Sequence, residues 1–290
     1  MIERLRRKLE AGLVWVLFHV LQALPVDAAS GVGGWLGRTL GYHLPVTRRA
    51  RRNMRKAFPG WSDAERERHL RGMWDNLGRV AGEYPHIGAF GYGPGQRVEV
   101  EGLDHLLSLR DDGRPGIFFS AHYGNWELAG LSAARNGLPI SLIYRAANNP
   151  DVNWIFTQGR SVAGIDVIPK GRQGARLALS RLKAGGHLGM LVDQKMNDGI
   201  AVPFFGHTAM TAPALAVFAL KYRCPVVPAR VTRLGGARFR ITFEPPLPVP
   251  DSGDHHADVR TMMTRVNAII ERWIRAAPEQ WLWLHNRWPD

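Results

Sequence analysis

The sequence contains a single cysteine, Cys224, among its 290 residues. One cysteine excludes a disulfide scaffold and any zinc or iron–sulfur site that is built from several cysteines. Acidic residues are also scarce, with 25 Asp and Glu against 38 Lys and Arg. The resulting net charge of +13 favours anionic partners such as nucleic acid, an anionic lipid surface or an acidic protein, with a solvated basic face as the alternative.

Long apolar runs are missing too. No run reaches the roughly eighteen residues that are typical of a membrane-spanning helix. The hydrophobic content of 45% and the charged content of 22% nevertheless describe a folded protein and exclude a disordered one. The length allows one large α/β domain or two smaller ones. We therefore expect a chain that is soluble or peripheral to a membrane.

The basic residues are concentrated at the N-terminal end, where residues 1–56 carry eleven Lys and Arg but only three acidic side chains. An apolar run at residues 13–24 lies inside this region and contains Trp15 and Phe18. It is too short to span a bilayer and lacks a convincing signal-peptide cleavage site. Both aromatic residues are expected at headgroup depth in a helix that lies in the membrane interface. We predict a membrane-anchoring segment at residues 1–45; a core helix of a soluble domain is the alternative.

Three glycines at spacings of four residues, Gly33, Gly37 and Gly41, follow this apolar run. Small residues at that spacing permit the close approach of a second helix. The pattern therefore predicts a helix contact, although it does not identify the partner helix.

From about residue 98, short apolar runs alternate with amphipathic segments. Strands are expected at residues 116–120, 139–144, 165–168 and 187–192, and a hairpin at residues 226–232 and 238–243. Helices are expected at residues 126–135, 152–162, 174–184, 212–223 (capped by Thr211) and 256–276. This alternation predicts an α/β fold with a mostly parallel mixed sheet that helices cover on both faces.

The string from Ser120 to Glu127, Ser-Ala-His-Tyr-Gly-Asn-Trp-Glu, carries the most specific chemistry. On one helix, five residues correspond to about 500° of rotation, so His122 and Glu127 would point in different directions. We expect instead that His122 lies on the loop after a strand and that Asn125 caps the helix that carries Glu127. The carboxylate would then fix the tautomer of the imidazole and leave its other nitrogen as a base. For either residue alone, a structural role is the alternative.

The His122-x4-Glu127 pair resembles the His-x4-Asp/Glu motif of the glycerolipid acyltransferase superfamily. Its continuation, Gly-Asn-Trp-Glu, is similar to the late lipid A acyltransferases, the lauroyl and myristoyl transferases. Further blocks occur in the order of that family: Tyr144-Arg145, Asn148-Asn149-Pro150, Gly159-Arg160, Asp193-Gln194-Lys195, Val202-Pro-Phe-Phe-Gly206 and Thr211. The resemblance covers residues 100–215, and the N-terminal apolar segment matches as well.

The resemblance implies transfer of a fatty acyl chain to a hydroxyl of a lipid A precursor. The expected donor is acyl carrier protein, with acyl-CoA as the alternative, and the expected location is the cytoplasmic face of the inner membrane. Residues 46–290 would form the catalytic domain with a glycerolipid acyltransferase-like fold. The family uses no metal, no cofactor and no covalent acyl-enzyme.

The residues themselves are compatible with this chemistry. The sequence has no Gly-x-Ser-x-Gly elbow, and we expect Cys224 to be a buried packing residue, so no protein nucleophile is evident. His122 is the candidate general base, with Glu127 orienting it. The substrate-binding candidates are Arg160, Asp193, Asn125, Arg145, Phe204 and Phe205.

Three of these candidates have specific expected roles. Arg160 would stabilise the oxyanion or hold a sugar phosphate, because an arginine can bind either group through two donors. Asp193 would hold the acceptor hydroxyl or pair with Arg160, with loop capping as the alternative. Phe204 and its neighbour Phe205 would line the acyl channel, or belong to the core.

Other functions are less compatible with the sequence. Nucleic acid is not an expected partner, because no motif is present and the aromatic residues do not alternate with Lys and Arg. An inactive membrane-binding module would be expected to lack the pair formed by His122 and Glu127. Within the enzymes, acceptors such as a lysophospholipid, an ornithine lipid or a mannosylated inositol lipid remain open.

Overall fold

A computed structural model describes residues 2–144, 149–155 and 164–288. Its helices are α1 Ile2–Ala23, α2 Val26–Thr39, α3 Thr47–Ala57, α4 Asp63–Glu83, α5 Leu103–Asp111, α6 Glu127–Arg135, α7 Arg172–Lys183, α8 Ala214–Tyr222 and α9 His255–Ala276. Its strands are β1 Val98–Glu101, β2 Gly116–Ser120, β3 Ile140–Tyr144, β4 Asp166–Pro169, β5 His187–Leu191, β6 Lys195–Phe204, β7 His207–Thr211, β8 Val226–Gly235 and β9 Arg238–Phe243.

In the described part of the chain, seven strands form the main sheet in the order β1-β9-β8-β2-β5-β3-β4. The pairs are parallel except for the hairpin of β8 and β9, which is antiparallel. The expected α/β fold with a mostly parallel sheet is therefore confirmed, and the predicted strands of this sheet agree with the observed ones within three residues at either end. Strand β2 lies in the centre, between β8 and β5.

The central strand shows why both faces of the sheet carry helices. All five residues of β2 are buried, as expected for a strand that is covered on both sides. Ile117 and Phe119 belong to the core that includes α9, and Phe119 stacks on Trp273 at 6.0 Å between ring centroids. Phe118 points the other way, into the core that includes Leu128 of α6. An uninterrupted apolar sequence is thus required at this position.

The sequence-based prediction was wrong around Thr211. This residue ends β7, the second strand of a hairpin with β6 that was not predicted, and α8 begins only at Ala214. The Thr211 hydroxyl donates to the carbonyl of Ala209 (3.1 Å) and accepts from Arg287 (2.8 Å), so it does not cap the helix. The helix expected at residues 152–162 lies largely outside the described residues.

The predicted glycine contact is confirmed, and its partner is α4. A Cβ atom at Gly33 of α2 would lie 2.2 Å from the carbonyl oxygen of Gly78 in α4, and one at Gly78 would lie 2.0 Å from that of Gly33. At Gly37 the nearest atom would be the carbonyl oxygen of Trp74, at 2.0 Å. The two helices can pack at this distance only because these positions carry no side chains.

Helix α1 has one exposed apolar face and one packed face. In the described residues, no helix is both long enough and apolar enough to cross a bilayer. Apolar side chains at helical spacing are 50–66% exposed on α1: Leu5, Leu9, Leu13, Val16 and Val20. Trp15 is 53% exposed, but Phe18 is only 7% exposed and packs edge-on against Trp154 at 5.0 Å. The expectation that Phe18 lies at headgroup depth was therefore wrong.

Candidate active site

His122 and Asp193 meet at the carboxyl edge of the sheet. His122 comes two residues after β2, and Asp193 comes two residues after β5. These neighbouring strands are parallel, and their last residues, Ser120 and Leu191, are paired in register. Two side chains that follow paired strand ends at the same distance are brought together, at the edge where open α/β sheets place their active sites.

Asp193 holds the imidazole of His122 through its carboxylate. Oδ1 of Asp193 lies 2.8 Å from Nδ1 of His122, and Oδ2 accepts the backbone N–H of His122 (3.0 Å) and the indole N–H of Trp281 (2.8 Å). Complete burial favours the neutral acid, but the attraction to His122 when it is protonated and the hydrogen bonds from His122 outweigh it and hold the pKa of Asp193 well below its usual range. The carboxylate is therefore ionised and accepts the Nδ1 proton, which leaves Nε2 of a neutral imidazole unprotonated.

This geometry corrects the expected partner of His122. The carboxylate that hydrogen-bonds the imidazole is Asp193, and Glu127 is the first residue of α6. Glu127 instead lines a neighbouring cleft beside Trp126, whose ring centroid lies 5.2 Å from that of His122. The physical reason is the chain path: α6 begins five residues after His122, whereas Asp193 leaves the adjacent strand directly beside it.

The Nε2 side of His122 faces an amide and a second histidine. Nε2 of Gln194 lies 3.3 Å from Nε2 of His122 and 3.4 Å from Nε2 of His285. The Gln194 oxygen accepts from Lys170 (3.3 Å), which orients the NH₂ group toward both imidazoles. Burial, together with the charge of His122, lowers the pKa of His285 to about 4. A neutral His285 and a donating amide thus border the basic nitrogen.

Asn125 does not cap α6, in contrast to our expectation. Trp126 occupies the N-cap position without a side-chain hydrogen bond. The Asn125 amide donates instead to the buried carboxylate of Glu83 (2.9 Å), which also accepts from Ser30 (2.7 Å) and Arg233 (3.1 Å). The competing carboxylate explains the error, because its position under the loop could not be inferred from the local sequence.

Backbone contacts fix the loop that carries His122. The His122 carbonyl accepts from the N–H of Leu282 (2.9 Å), and the N–H of Gly124 donates to Gln280 (2.9 Å). Gly124 has a φ of 59°, and a Cβ atom there would lie 2.0 Å from the carbonyl oxygen of Val231. The loop is thereby held between β8 and the C-terminal segment, which preorganises the imidazole.

The remaining candidates have different locations. Arg145 and Arg160 lie outside the described residues, so the structure does not place them. Phe204 and Phe205 are buried in an aromatic cluster, with ring centroids of Phe204 5.8 Å from Trp281 and 5.6 Å from Trp288. This packing accounts for both rings as core residues, and their role in an acyl channel stays a prediction.

A mainly apolar cleft adjoins His122 on the Glu127 side. Its lining residues are Phe118, Ser120, Trp126, Glu127, Gly130, Leu142, Ile143, Tyr144, Gly189, Met190 and Leu191. Because Trp126 contacts His122 and also lines this cleft, an apolar group bound there would lie beside the imidazole.

Three side chains at the centre of the site, His122, Asp193 and His285, are of the types that bind metal ions. One nitrogen each of His122 and His285 and one oxygen of Asp193 lie within 4.8 Å of one another. Two histidines and a carboxylate are a known metal-ligand combination. Here the same lone pairs already take part in the hydrogen bonds to Asp193 and Gln194, and these bonds account for the arrangement without an ion. The expectation that no metal is used stays a prediction.

Sequence reasoning did not identify Trp281 and His285. Both belong to the Trp-rich C-terminal segment, Trp281-Leu-Trp-Leu-His-Asn-Arg-Trp288, in which the indole of Trp281 and the ring of His285 reach the site. Polar side chains within so apolar a run were the signal that could have indicated a role in the site.

Comparison with known proteins identifies the family of the chain. The family described as bacterial lipid A biosynthesis acyltransferase matches residues 3–290. A lipid A biosynthesis palmitoleoyltransferase of Escherichia coli is 28% identical over 82% of this chain and 77% of its own length. A lipid A biosynthesis acyltransferase of Haemophilus influenzae is 25% identical over 93% of this chain and 86% of its own.

A match also exists outside lipid A biosynthesis. A phosphatidylinositol mannoside acyltransferase of Mycolicibacterium smegmatis is 24% identical over 67% of this chain and 63% of its own length. The family match covers nearly the whole sequence, however. The chain therefore belongs to the bacterial lipid A biosynthesis acyltransferase family, whose members are acyltransferase enzymes.

Proposed function

We propose that this protein transfers a fatty acyl chain from a thioester donor to a hydroxyl group of a lipid A precursor, with His122 as the general base. The observation that carries this proposal is the bond between Nδ1 of His122 and Asp193 at 2.8 Å. Asp193 keeps the Nδ1 proton in place, so that Nε2 can accept the proton of the acceptor hydroxyl.

The acyl transfer needs no reagent besides the two substrates. The acceptor oxygen attacks the thioester carbon as its proton moves to Nε2 of His122, and a tetrahedral intermediate forms. Collapse of that intermediate breaks the carbon–sulfur bond, and the imidazolium returns the proton to the departing thiolate. Asp193 stabilises the imidazolium between these two steps, because its ionised carboxylate lies in direct contact with Nδ1.

A direct attack is supported by the position of the single thiol. Cys224 is completely buried in the core, and burial raises the pKa of its thiol to about 11. A buried and protonated thiol is a poor nucleophile at neutral pH. We therefore assign no covalent acyl-enzyme to the reaction.

We place the acyl chain at the cleft on the Glu127 side, because the walls of this cleft are mainly apolar. Phe118, Leu142 and Met190 supply part of the apolar wall, and Trp126 connects the cleft to His122. Glu127 is one of the few polar groups in the lining, so we place it where it binds a polar part of the substrates instead of holding Nδ1. Its role in catalysis is part of this proposal.

The exposed face of α1 supports a peripheral position on the inner membrane. Leu5, Leu9 and Leu13 present apolar side chains to solvent at helical spacing, and basic residues flank them in the sequence. Such a helix binds an anionic lipid surface through its apolar face and its cations together. The acceptor lipid would then reach the site from the cytoplasmic leaflet.

The mass of lipid A from a deletion strain tests the acceptor. Loss of one acyl chain, restored by the wild-type gene but not by a gene encoding His122→Ala, is the expected result. Unchanged lipid A together with a mass change in a mannosylated inositol lipid would favour the second candidate acceptor, which the 24% identical mycobacterial relative suggests. Unchanged mass in all lipids would contradict the proposal.

A further inference from the structure

A polar groove lies on the Gln194 side of His122, and it shares no lining residue with the apolar cleft. Its lining residues are Arg49, Gln194, Lys195, Asn197, Leu284, His285 and Asn286. Two of these lining residues, Gln194 and His285, contact each other beside Nε2 of His122. A substrate that lies along this groove would therefore reach Nε2 of His122.

Two cations on different elements border the groove. Arg49 lies on α3, and Lys195 begins β6. Arg49 donates through one nitrogen to the carbonyl of Leu284 (3.3 Å), and its remaining donors and the Lys195 ammonium have no partner among the described residues. No carboxylate belongs to the described lining, so neither cation is neutralised there.

A neutral donor completes the groove. The oxygen of the Asn286 amide accepts from Arg52 (3.0 Å), which leaves its NH₂ group as a donor. The Gln194 NH₂ group is already directed at His122 and His285, so Asn286 supplies the amide donor. His285 adds no charge to the groove, because its pKa is lowered to about 4. Two cations with an amide donor and no carboxylate form a surface that is complementary to a phosphate group.

We propose that this groove binds a phosphate group of one of the two substrates, an inference that rests on the proposed acyl transfer. Two sources share this chemistry: the phosphodiester of a pantetheine arm that carries the acyl thioester, and a phosphate on the sugar acceptor. Either would hold its substrate with the reacting group near Nε2 of His122. Arg49 and Lys195 are thus binding residues, and the acyl chain occupies the separate apolar cleft.

The test uses steady-state kinetics of the full-length enzyme with each substrate varied in turn. Arg49→Ala and Lys195→Ala should each raise one KM by about 10- to 100-fold, the usual effect of removing a charged hydrogen bond. Arg55→Ala, on an exposed residue of α3 that does not line the groove, is the matched control and should leave both KM values unchanged. A rise in the KM of the acyl donor alone would identify the pantetheine phosphate as the group that the groove binds. A rise in the KM of the acceptor alone would identify the sugar phosphate.

A binding experiment separates this inference from the proposed function. Phosphopantetheine and pantetheine are compared as competitors of the acyl donor. A phosphorylated glucosamine disaccharide and its dephosphorylated form are compared as competitors of the acceptor. One phosphorylated member should compete at least about tenfold better, and Arg49→Ala should abolish that preference. Equal competition within both pairs, or KM values in both variants that match those of Arg55→Ala, would overturn the groove assignment. Absence of any acyl transfer by the wild type would instead contradict the proposed function itself.

Discussion

Nδ1 of His122 lies 2.8 Å from Oδ1 of Asp193, although 71 residues separate the two in sequence. The parallel pairing of β2 with β5 produces this contact, because each residue follows its strand by two positions. The same carboxylate also accepts the indole N–H of Trp281. The His122 imidazole is thus oriented by a buried carboxylate, which the backbone N–H of His122 and the indole of Trp281 hold in place.

Asp193→Asn is expected to reduce kcat strongly without unfolding the protein. An asparagine amide can donate to Nδ1, which would place the imidazole proton on Nε2 and remove the base. The expected loss is about 10²- to 10⁴-fold, as for other histidine bases in the wrong tautomer. Turnover by the purified variant measures it, and Asp198→Asn, on an exposed residue of β6, is the control. A variant with near-normal kcat would show that Asp193 does not orient the base.

His285 should make stability depend on pH. Its pKa is about 4 in the folded state, whereas an unfolded histidine titrates near pH 6.5. Between these values the unfolded chain binds more protons, so stability falls as the pH drops from about 6.5 to 4, by about 2–3 kcal/mol.

Urea unfolding at several pH values measures this slope. His285→Gln should flatten the dependence, because the variant has no imidazole at this position whose pKa the site lowers. His255→Gln, on an exposed residue at the start of α9, should keep the wild-type slope. Parallel curves for the wild type and His285→Gln would contradict the assignment.

The pair formed by Glu83 and Arg233 should be important for stability. The Glu83 side chain is completely buried, and that of Arg233 is 8% exposed. Arg233→Ala would leave a buried carboxylate without its cation, and we expect a loss of about 3–5 kcal/mol in the free energy of unfolding.

The pair formed by Arg240 and Glu99 provides the control, because its side chains are 41% and 36% exposed. Arg240→Ala should cost less than about 1 kcal/mol, the usual range for surface pairs. The free energy of unfolding is measured by urea denaturation. Equal losses in the two variants would contradict the claim that burial makes the Glu83 pair more important for stability.

Membrane binding by α1 can be tested by placing a single negative charge on its apolar face. Leu9→Glu and Leu13→Glu replace exposed side chains on its apolar face, and each should weaken binding by about tenfold or more, because a leucine contributes about 1.5–3 kcal/mol on burial. Flotation with vesicles of phosphatidylethanolamine and phosphatidylglycerol measures the bound fraction. Leu177→Glu, on a residue of α7 that is 45% exposed, should bind as the wild type does. Unchanged flotation of both α1 variants would argue against an interfacial helix.

Local sequence patterns were sufficient for six of the seven described strands of the main sheet, all except β1, and for the position of His122. The run Gly116–Ser120 is uniformly apolar up to its last residue, so its end could be located, and His122 had to follow it. The partner of His122 could not be derived in this way. It depends on β5 lying beside β2, and strand order is a property of the whole sheet rather than of any segment.

The same limit applies to Asn125 and His285. Asn125 has the sequence context of a helix cap, but the carboxylate of Glu83, 42 residues earlier, binds its amide. His285 reaches His122 only because the C-terminal segment pairs with the loop at Tyr123 and Trp281. Contacts between distant segments thus determine the parts of the site that local patterns missed.

The central claim is that His122 catalyses acyl transfer to a lipid A precursor, and mass spectrometry of the acceptor tests it most directly. Purified enzyme is incubated with an acyl thioester and the acceptor lipid, in parallel with His122→Ala. The account predicts that the wild type adds the mass of one acyl chain, and that His122→Ala adds it about 10²- to 10⁴-fold more slowly while retaining its fold. Equal rates of mass gain in the two proteins, or none in the wild type, would contradict the account.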